Sequence, residues 1–467
     1  MNEPDFDFIV IGGGSAGYAG AAQGARLGLK TAVIEGGREV GGLCILRGCM
    51  PSKTLLESGH RAEAIRGAGE FGLRAEYFGA DGAAIRARKR RLIGEFAEYR
   101  RGQLASGRFD FIRGEAAFAD AHTVEVRLLD GGLRRLTARA FLIATGSRVQ
   151  WHEIPGLRET GCWTSDEMLD VEQIPGSLVV LGGGAIGLEA ASYYAGLGSR
   201  VTVIQRGEQV LKETDADVAA AVTDALEHRG ITILRGTRLL RVERDGGIKR
   251  VHFNQAGTDR FVEGEEIIYA LGREPALDAL ELSRAGLTVV RGAIFTDSHQ
   301  RCGSTPIFAA GDVCGPFEVV HIAIQQAELA ARNVARVLHR LDGPFEASDY
   351  RLALFAVFTH PQVASVGLTE REARLHHDVI TAGYAFADHG KSMVRGETHG
   401  FVKLVAERGT TRLLGAACVG PEAAELIHEI VVAMHFHATA RDLAAIPHYH
   451  PTLSEIWTYP ADELAGR

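Results

Sequence analysis

Two cysteines five positions apart are the first residues whose spacing suggests chemistry. Cys44 and Cys49 lie in GGLCILRGCMPSK, residues 41–53, a segment that Pro51 is expected to interrupt. Metal or cluster ligands would need companions, and a ferredoxin-type cluster would need a cysteine where the chain has Ser52. Two structural thiols or a structural disulfide remain alternatives. A redox-active disulfide fits best, because it can open and close in each turnover, and Lys53 nearby would lower a thiolate pKa.

A histidine close to the end of the sequence could move the protons that thiol–disulfide exchange requires. Residues 448–455 read HYHPTLSE. Histidine titrates near neutral pH and is the usual side chain for general acid–base catalysis. Glu455 could hold the far ring nitrogen of His450 and stabilise the imidazolium. The alternative for one of 18 histidines is a packing or surface role, and His448 is given no role.

A glycine-rich turn follows the first apolar run of the chain. The run Phe6–Ile11 leads into Gly12-Gly13-Gly14-Ser15-Ala16-Gly17, then an alanine-rich segment, then a second run that ends at Glu35. This order of strand, glycine turn, helix, strand and acid is typical of dinucleotide binding. The pyrophosphate would lie at the helix N-terminus, and Glu35 would accept hydrogen bonds from ribose hydroxyls.

The same pattern returns 170 residues later. The run Leu178–Leu181 leads into Gly182-Gly183-Gly184-Ala185-Ile186-Gly187, and a second apolar run ends before Gln205. A repeat on the scale of a domain predicts two Rossmann-type units and therefore two dinucleotides in one chain. Two such cofactors suggest that electrons pass from one to the other.

The two copies differ at the position of the acid. Gln205 replaces the carboxylate, and Arg206 and Lys212 follow it. Loss of the carboxylate removes repulsion against a 2′-phosphate, and either cation could bind one, which favours NADPH at the second site. The alternative is that both cations are solvated surface charges, in which case NADH would bind.

Several further motifs carry a family resemblance through the whole chain. They are ATGS at 144–147, GGGAIGLE at 182–189, FAAGDVCG at 308–315, FTHPQVASVGLTE at 358–370 and HPTLSE at 450–455. Together with the glycine and cysteine motifs, they resemble the class I pyridine nucleotide–disulfide oxidoreductases. The resemblance implies an α/β fold with two Rossmann-like dinucleotide-binding domains and a C-terminal α+β dimerisation domain. It also implies FAD at the first site, NAD or NADP at the second, and a homodimer.

The resemblance assigns roles to individual residues. Cys44 resembles the thiol that attacks the substrate disulfide, and Cys49 resembles the thiol that contacts the flavin. Lys53 and Glu189 resemble the ion pair beside the reactive nitrogen of the flavin. Asp312 resembles the aspartate that binds the ribityl chain, although by itself it would be read as a turn residue. In the family, the histidine–glutamate pair reaches the disulfide of the partner subunit.

The expected binding residues fall into two sets, and no metal site is expected. The FAD set comprises Gly12, Gly14, Ser15, Ala16, Gly17, Glu35, Gly42, Lys53, Thr145, Gly146 and Asp312. The NAD(P) set comprises Gly182, Gly184, Ile186, Gly187, Gln205, Arg206, Lys212 and Gly272.

The motifs also suggest domain boundaries. We expect an FAD domain at 1–150 and 276–345, a nicotinamide domain at 151–275, and an interface domain at 346–467. Basic residues at 86–91 and 100–101 are interleaved with Glu95 and Glu98, which favours a solvated helix face over nucleic-acid binding.

Within the family, the sequence most resembles dihydrolipoamide dehydrogenase in its substrate-determining motifs, and we expect that type of activity. The tail DELAGR carries no cysteine pair to collect a metal, and Ala22 stands where glutathione reductase has an arginine. Two departures from the standard form are Arg47, between the cysteines, and Gln205. The expected substrate is a small or protein-bound dithiol or disulfide of the lipoyl type. Alternatives are reduction of another disulfide, a quinone or a metal, and a non-catalytic FAD-binding redox sensor.

Composition excludes several other classes. The 467 residues are 46% hydrophobic and 24% charged, which argues against a disordered chain, and the net charge of −8 argues against a general polyanion binder. We expect no membrane span, because the apolar runs are too short, and no signal or transit peptide, because the first residues lack a basic region and are acidic; the cysteines are also too few for a secreted framework. These features predict a soluble, cytoplasmic protein without nucleic-acid or membrane partners.

Overall fold

The computed structural model describes residues 3–466. Residue contacts divide the chain into two units, each assembled from three separate stretches. The first unit comprises Met1–Pro51, Ala87–Gln150 and Gly272–Asp349, and the second comprises Ser52–Arg86, Trp151–Leu271 and Tyr350–Arg467. The three-domain division expected from the motifs stays a prediction.

Strands and helices alternate through much of the chain. The strands are β1 (Phe6–Ile11), β2 (Thr31–Glu35), β3 (Asp110–Asp120), β4 (Thr123–Leu128), β5 (Leu133–Ile143), β6 (Ser147–Val149), β7 (Ser177–Leu181), β8 (Arg200–Ile204), β9 (Thr232–Leu234), β10 (Thr237–Asp245), β11 (Ile248–Gln255), β12 (Thr258–Gly264), β13 (Glu266–Tyr269), β14 (Arg273–Pro275), β15 (Val289–Val290), β16 (Ala293–Ile294), β17 (Ile307–Ala309), β18 (Leu354–Val357), β19 (Gln362–Gly367), β20 (Val379–Ala385), β21 (Phe401–Glu407) and β22 (Leu413–Gly420). The α-helices are α1 (Ser15–Arg26), α2 (Gly42–Leu46), α3 (Cys49–Gly67), α4 (Gly82–Leu104), α5 (Leu157–Thr160), α6 (Ser165–Met168), α7 (Ala185–Gly196), α8 (Ala216–His228), α9 (Val320–Val337), α10 (Glu370–Ala373), α11 (Gly390–Arg395), α12 (Ala423–His435), α13 (Ala440–Ala445) and α14 (Thr458–Ala465). This mixed α/β architecture confirms the predicted fold class.

A parallel sheet in the order β3-β2-β1-β5-β17 forms the centre of the first unit. Side chains of β1 alternate between its faces, with Phe8 and Val10 packing with the alanines of α1 and α9, and Ile9 packing on the opposite face. Burial on both faces explains why β1 is an almost continuous apolar run. Strands β3, β4 and β5 extend beyond this sheet as an antiparallel meander.

The register of this sheet aligns the ends of its strands. Ile11 pairs with Ile34 of β2 and with Ile143 of β5, and Ile143 pairs with Ala309 of β17. Because parallel strands end at the same edge, the loops that follow them converge there, which is where open α/β sheets bind ligands. This edge carries Gly12 and Thr145, and it also carries Glu35 and Asp312.

The second unit contains a smaller parallel sheet and two antiparallel ones. The parallel sheet has the order β13-β7-β8-β9, an antiparallel ribbon has the order β10-β11-β12, and a five-stranded sheet has the order β18-β19-β22-β21-β20. Helices α12 and α14 cover the five-stranded sheet, and their core includes Ile427, Ile430 and the fully buried Trp457. The indole Nε1 of Trp457 donates to the carbonyl of Leu426 at 3.1 Å, which anchors the turn that precedes α14.

Two local expectations were wrong. Pro51 does not interrupt the segment but lies in the first turn of α3, where a residue without an N–H loses no helical hydrogen bond. The basic run on α4 is only partly solvated, because Arg86 and Lys89 are buried. Arg86 forms an ion pair with Asp170 at 2.9 Å, which compensates the buried charge.

Among residues 3–466, no helix is both long and apolar enough to cross a bilayer.

Candidate active site

The first glycine turn has the geometry that a pyrophosphate requires. A Cβ on Gly12 would lie 2.4 Å from the carbonyl oxygen of Ala144, and a Cβ on Gly17 would lie 1.8 Å from that of Gly12. Both positions therefore exclude side chains. At Gly14 a Cβ would meet nothing closer than 3.6 Å, and no side chain caps the N-terminus of α1. The free N–H groups and the positive helix end fit a phosphate group.

Apart from Lys53, which belongs to the second unit, the remaining expected FAD residues lie in the first unit with this turn. Glu35 accepts the N–H of Gly13 at 2.8 Å, which fixes the carboxylate beside the turn. Ser147 donates to Asp312 Oδ2 at 2.6 Å, so Asp312 is held in the loop after β17. Thr145 donates its hydroxyl to the carbonyl of Ala276 at 2.9 Å and thereby fixes the loop after β5. The residues present fit FAD, and Gly14, Ser15, Ala16 and Gly42 would supply backbone N–H groups to its phosphates.

The second glycine turn repeats the first in detail. Gly182 has a φ of 108°, against 106° for Gly12, and a Cβ on Gly187 would lie 2.0 Å from the carbonyl oxygen of Gly182. Gln205 Oε1 accepts the N–H of Gly183 at 2.9 Å, so the amide occupies the place of the Glu35 carboxylate. Its Nε2 donates to the carbonyl of Gln209 at 3.1 Å, a bond that a carboxylate could not make. Helix α7 begins without a side-chain cap, which again leaves N–H groups for a phosphate.

The two cations after β8 differ in their surroundings. Arg206 is exposed, and Lys212 is 80% exposed and lies 3.5 Å from Glu213. Gly272, which was expected to contact the nucleotide, belongs to the first unit and has a φ of 132°. Its carbonyl accepts the N–H of Gln150 at 3.1 Å in the link between β13 and β14. Of these two cations, Lys212 has a neighbouring carboxylate that would compete with a phosphate group, and Arg206 is therefore the better candidate to bind one.

The two cysteines of the motif lie on two consecutive helices. Cys44 lies on α2 and Cys49 begins α3, and their side chains are hydrogen-bonded as free thiols. This hydrogen bond, burial and the neighbouring sulfur raise the pKa of Cys44, and the charge of Arg100 opposes the rise. Cys44 therefore keeps its proton at neutral pH. Arg47, between the cysteines, forms an exposed ion pair with Glu39 at 2.7 Å.

Lys53 and Glu189 form the ion pair that the resemblance implies. Lys53 Nζ lies 2.8 and 2.9 Å from the two carboxylate oxygens of Glu189, which is 7% exposed. Glu189 also accepts the N–H of Phe358 at 3.0 Å, and Lys53 Nζ lies 4.6 Å from the centre of that ring. These contacts hold the ammonium group of Lys53 in one position, because the buried carboxylate of Glu189 has no water to bind in its place.

His450 and Glu455 form a second pair in the same unit. His450 Nδ1 lies 3.0 Å from Glu455 Oε2, and the side chains are 79% and 10% exposed respectively. Glu455 lies in the 3-10 turn Ser454–Trp457, which the buried Trp457 anchors. The carboxylate is therefore fixed while the imidazole faces outward. With Nδ1 bound to the carboxylate, Nε2 is the ring atom that can exchange protons.

Sequence reasoning missed a third member of this arrangement. His389 is fully buried, and its Nε2 lies 3.4 Å from Glu455 Oε1, the oxygen that His450 does not use. It lies 66 residues before Glu455, outside every motif, so no spacing or periodicity could have indicated it.

The other cysteines have surroundings typical of inert thiols. Cys302 and Cys418 are buried, and burial raises their pKa values. Burial also raises the pKa of Cys162 to about 11 and that of Cys314 to about 12. No cluster of potential metal ligands occurs in the part of the chain that the structure describes.

Comparison with known proteins places this arrangement in a family. Residues 6–327 match the pyridine nucleotide-disulphide oxidoreductase family, and residues 355–461 match its dimerisation domain. A mercuric reductase from Bacillus cereus is 36% identical over 97% of this chain and 70% of its own length. A dihydrolipoyl dehydrogenase from Geobacillus stearothermophilus is 32% identical over 98% of this chain and 96% of its own.

A solved structure agrees with these relatives. The HOCl-induced flavoprotein disulfide reductase RclA from Escherichia coli, in a Cu(II) complex, aligns with a TM-score of 0.86 at 26% identity. The alignment covers 99% of this chain and all of that one. The chain belongs to the pyridine nucleotide-disulphide oxidoreductases, FAD-dependent enzymes that use NAD(P)H.

Proposed function

We propose that this protein transfers electrons between a nicotinamide nucleotide and a dithiol or disulfide of the dihydrolipoamide type. The observation that carries the proposal is the His450–Glu455 pair, in which a buried carboxylate fixes an exposed imidazole 3.0 Å away. Direct reduction of a quinone or a dye requires no such base, whereas thiol–disulfide exchange must move a thiol proton. The adjacent thiols Cys44 and Cys49 supply the other half of this chemistry.

The steps follow from the properties of these side chains. In the direction of disulfide reduction, His450 Nε2 takes the Cys44 proton as Cys44 Sγ attacks one sulfur of the substrate disulfide. The substrate S–S bond breaks, a mixed disulfide with Cys44 forms, and the leaving thiolate takes the proton from His450. The Cys49 thiol then loses its proton to water as its Sγ attacks Cys44 Sγ, and the second substrate thiolate that is released takes a proton from water.

The proposed cycle ends with a Cys44–Cys49 disulfide. Bound FAD supplies the route by which two electrons from the nicotinamide nucleotide restore both thiols. The Glu189 carboxylate holds Lys53 in place, so that its positive charge stays fixed during this electron transfer. Oxidation of a dithiol runs through the same steps in reverse. We further propose a homodimer in which His450 serves the cysteine pair of the partner subunit, with the matched dimerisation domain in support.

Anaerobic steady-state assays test the proposal by crossing NADH and NADPH with lipoamide, glutathione disulfide and a quinone. We expect lipoamide to give the highest kcat/KM of the three acceptors. Cys44→Ser should remove lipoamide turnover and leave quinone turnover in place. Quinone turnover that exceeds lipoamide turnover, with no effect of Cys44→Ser on either, would reject the disulfide assignment.

Reduction of a soft metal ion is a second candidate. Mercuric reductases are among the relatives, and the Escherichia coli neighbour was solved as a Cu(II) complex. Two adjacent thiols are suitable ligands for such ions. The assay replaces lipoamide with Hg(II) or Cu(II) and follows NADPH consumption in the wild type and His450→Gln. Metal turnover above lipoamide turnover, unchanged by His450→Gln, would favour this candidate.

We also propose that the second nucleotide site prefers NADPH through Arg206. Its exposed guanidinium follows Gln205 directly, and a charge-assisted hydrogen bond to a 2′-phosphate contributes roughly 1.5–3 kcal/mol. This corresponds to about a ten- to hundredfold preference, since about 1.4 kcal/mol is tenfold. The measurement is kcat/KM for both nucleotides in the wild type and in Arg206→Ala, which should lose most of the preference.

Arg200→Ala is the matched control, because Arg200 is exposed at the opposite end of β8. It should leave the nucleotide preference unchanged. A wild-type preference for NADH that Arg206→Ala does not alter would show that this cation serves only as surface charge.

A further inference from the structure

Three buried or fixed side chains lie behind the exposed imidazole of His450. Glu455 has one carboxylate oxygen 3.0 Å from His450 Nδ1 and the other 3.4 Å from His389 Nε2. On its other side, His389 Nδ1 lies 2.9 Å from Ser392 Oγ. His389 and Ser392 are both fully buried, so neither side chain can be satisfied by water.

The elements around His389 leave it little freedom. It precedes α11, and its ring lies edge-on to Tyr459 of α14 at 6.2 Å and to Phe386 at 6.5 Å. Tyr459 is in turn stacked on Tyr384 of β20 at 4.0 Å. The titratable groups that face His389 are Glu455, His450 and Tyr459. The ring is therefore held between a carboxylate and a hydroxyl by packing from both sides.

Burial lowers the pKa of His389, while Glu455 raises it and His450 lowers it. A neutral imidazole carries one N–H, so its two nitrogens must take opposite roles. If Ser392 donates to Nδ1, the proton lies on Nε2, which is 3.4 Å from Glu455 Oε1 but outside hydrogen-bond geometry. Ser392, His389, Glu455 and His450 therefore form a continuous series of polar contacts, in which each side chain lies within 3.4 Å of the next.

We propose that His389 is a positioning residue for the His450–Glu455 pair, with Ser392 selecting its tautomer. By holding Oε1, His389 fixes the carboxylate plane so that Oε2 faces His450 Nδ1. The outer partners of catalytic side chains commonly act in this manner, and their loss costs about 10–100-fold at metal sites of similar construction. The inference rests on the proposed disulfide chemistry, since only that chemistry requires His450 as a base.

The test compares His389→Phe, His389→Gln and Ser392→Ala in the intact enzyme with lipoamide and with a one-electron dye. We expect His389→Phe to lower kcat/KM for lipoamide by about 10–100-fold and to leave dye reduction within about twofold. His389→Gln retains an N–H donor and should recover most of the loss, and Ser392→Ala should have a smaller effect. The pH at which lipoamide turnover declines on the acid side should shift in His389→Phe and return in His389→Gln.

A double-mutant cycle separates positioning from general structural damage. In a His450→Gln background, His389→Phe should cause little further loss, because the group it positions is already absent. If His389→Phe lowers lipoamide turnover by the same factor in the wild-type and His450→Gln backgrounds, or lowers dye reduction equally, the proposal is overturned. His377→Phe is the matched control, since His377 pairs with Glu407 at 3.3 Å in the same unit without touching Glu455.

The outcomes also distinguish this proposal from the proposed function. If His450→Gln itself leaves lipoamide turnover unchanged, the disulfide mechanism fails. If His450→Gln lowers turnover and His389→Phe does not, only the positioning role fails.

Discussion

Cys44→Ser is expected to reduce disulfide turnover to background while dye reduction continues near the wild-type rate. A serine hydroxyl does not ionise near neutral pH and does not exchange with a disulfide. Cys44 is also the thiol that keeps its proton, because the hydrogen bond to Cys49 and burial raise its pKa. The measurement is kcat/KM for lipoamide beside the rate with a one-electron acceptor.

Cys162→Ser provides the control for this experiment. Cys162 is half-buried, and burial raises its pKa to about 11, so its replacement should leave both activities intact. Disulfide turnover that survives Cys44→Ser would show that the cysteine pair is not on the route of the electrons.

His450→Gln is expected to lower disulfide turnover by about 10²–10⁴-fold, the usual contribution of a positioned general acid–base group. The raised pKa of Cys44 explains why a base is required, since the thiol does not release its proton unaided at neutral pH. Glutamine keeps much of the volume but cannot accept and return a proton. The loss should appear in kcat/KM for lipoamide and be nearly absent with a dye.

His448→Gln tests whether the effect is local disturbance. His448 Nε2 lies 2.5 Å from Glu429, so it is another histidine–glutamate pair only two residues away. We expect a much smaller loss in this variant. Equal losses with lipoamide and with the dye in His450→Gln would indicate a defect in folding or dimerisation instead.

The parts of the site that the sequence predicted are those fixed by local backbone geometry. Gly12 and Gly17 occupy positions where a Cβ would collide with a backbone oxygen, and the second copy repeats this at Gly182 and Gly187. Such constraints act within one turn of the chain, and they therefore appear in the sequence as glycines at fixed spacing. The aligned strand ends then bring Glu35 to the same edge of the sheet.

The parts that the sequence did not predict depend on packing between distant segments. Arg86 is buried and pairs with Asp170, 84 residues later, and the charge pattern of α4 contains no sign of this. His389 lies in a short loop before α11, where its residue type has no periodic context. Only the folded unit shows that Trp457 anchors the turn that places Glu455 beside His389.

The exposed imidazole of His450 beside its buried carboxylate has a consequence for genetic complementation. If each centre in the dimer combines thiols from one chain with a histidine from the other, a chain carrying Cys44→Ser and a chain carrying His450→Gln are separately inactive. Mixed dimers of the two would hold one centre built entirely from intact residues. Random reassociation of equal amounts would then restore about a quarter of the centres, by the symmetry of a two-fold dimer. Two inactive alleles in one cell would yield working enzyme, and a mixed dimer of either variant with the wild type would keep one of its two centres.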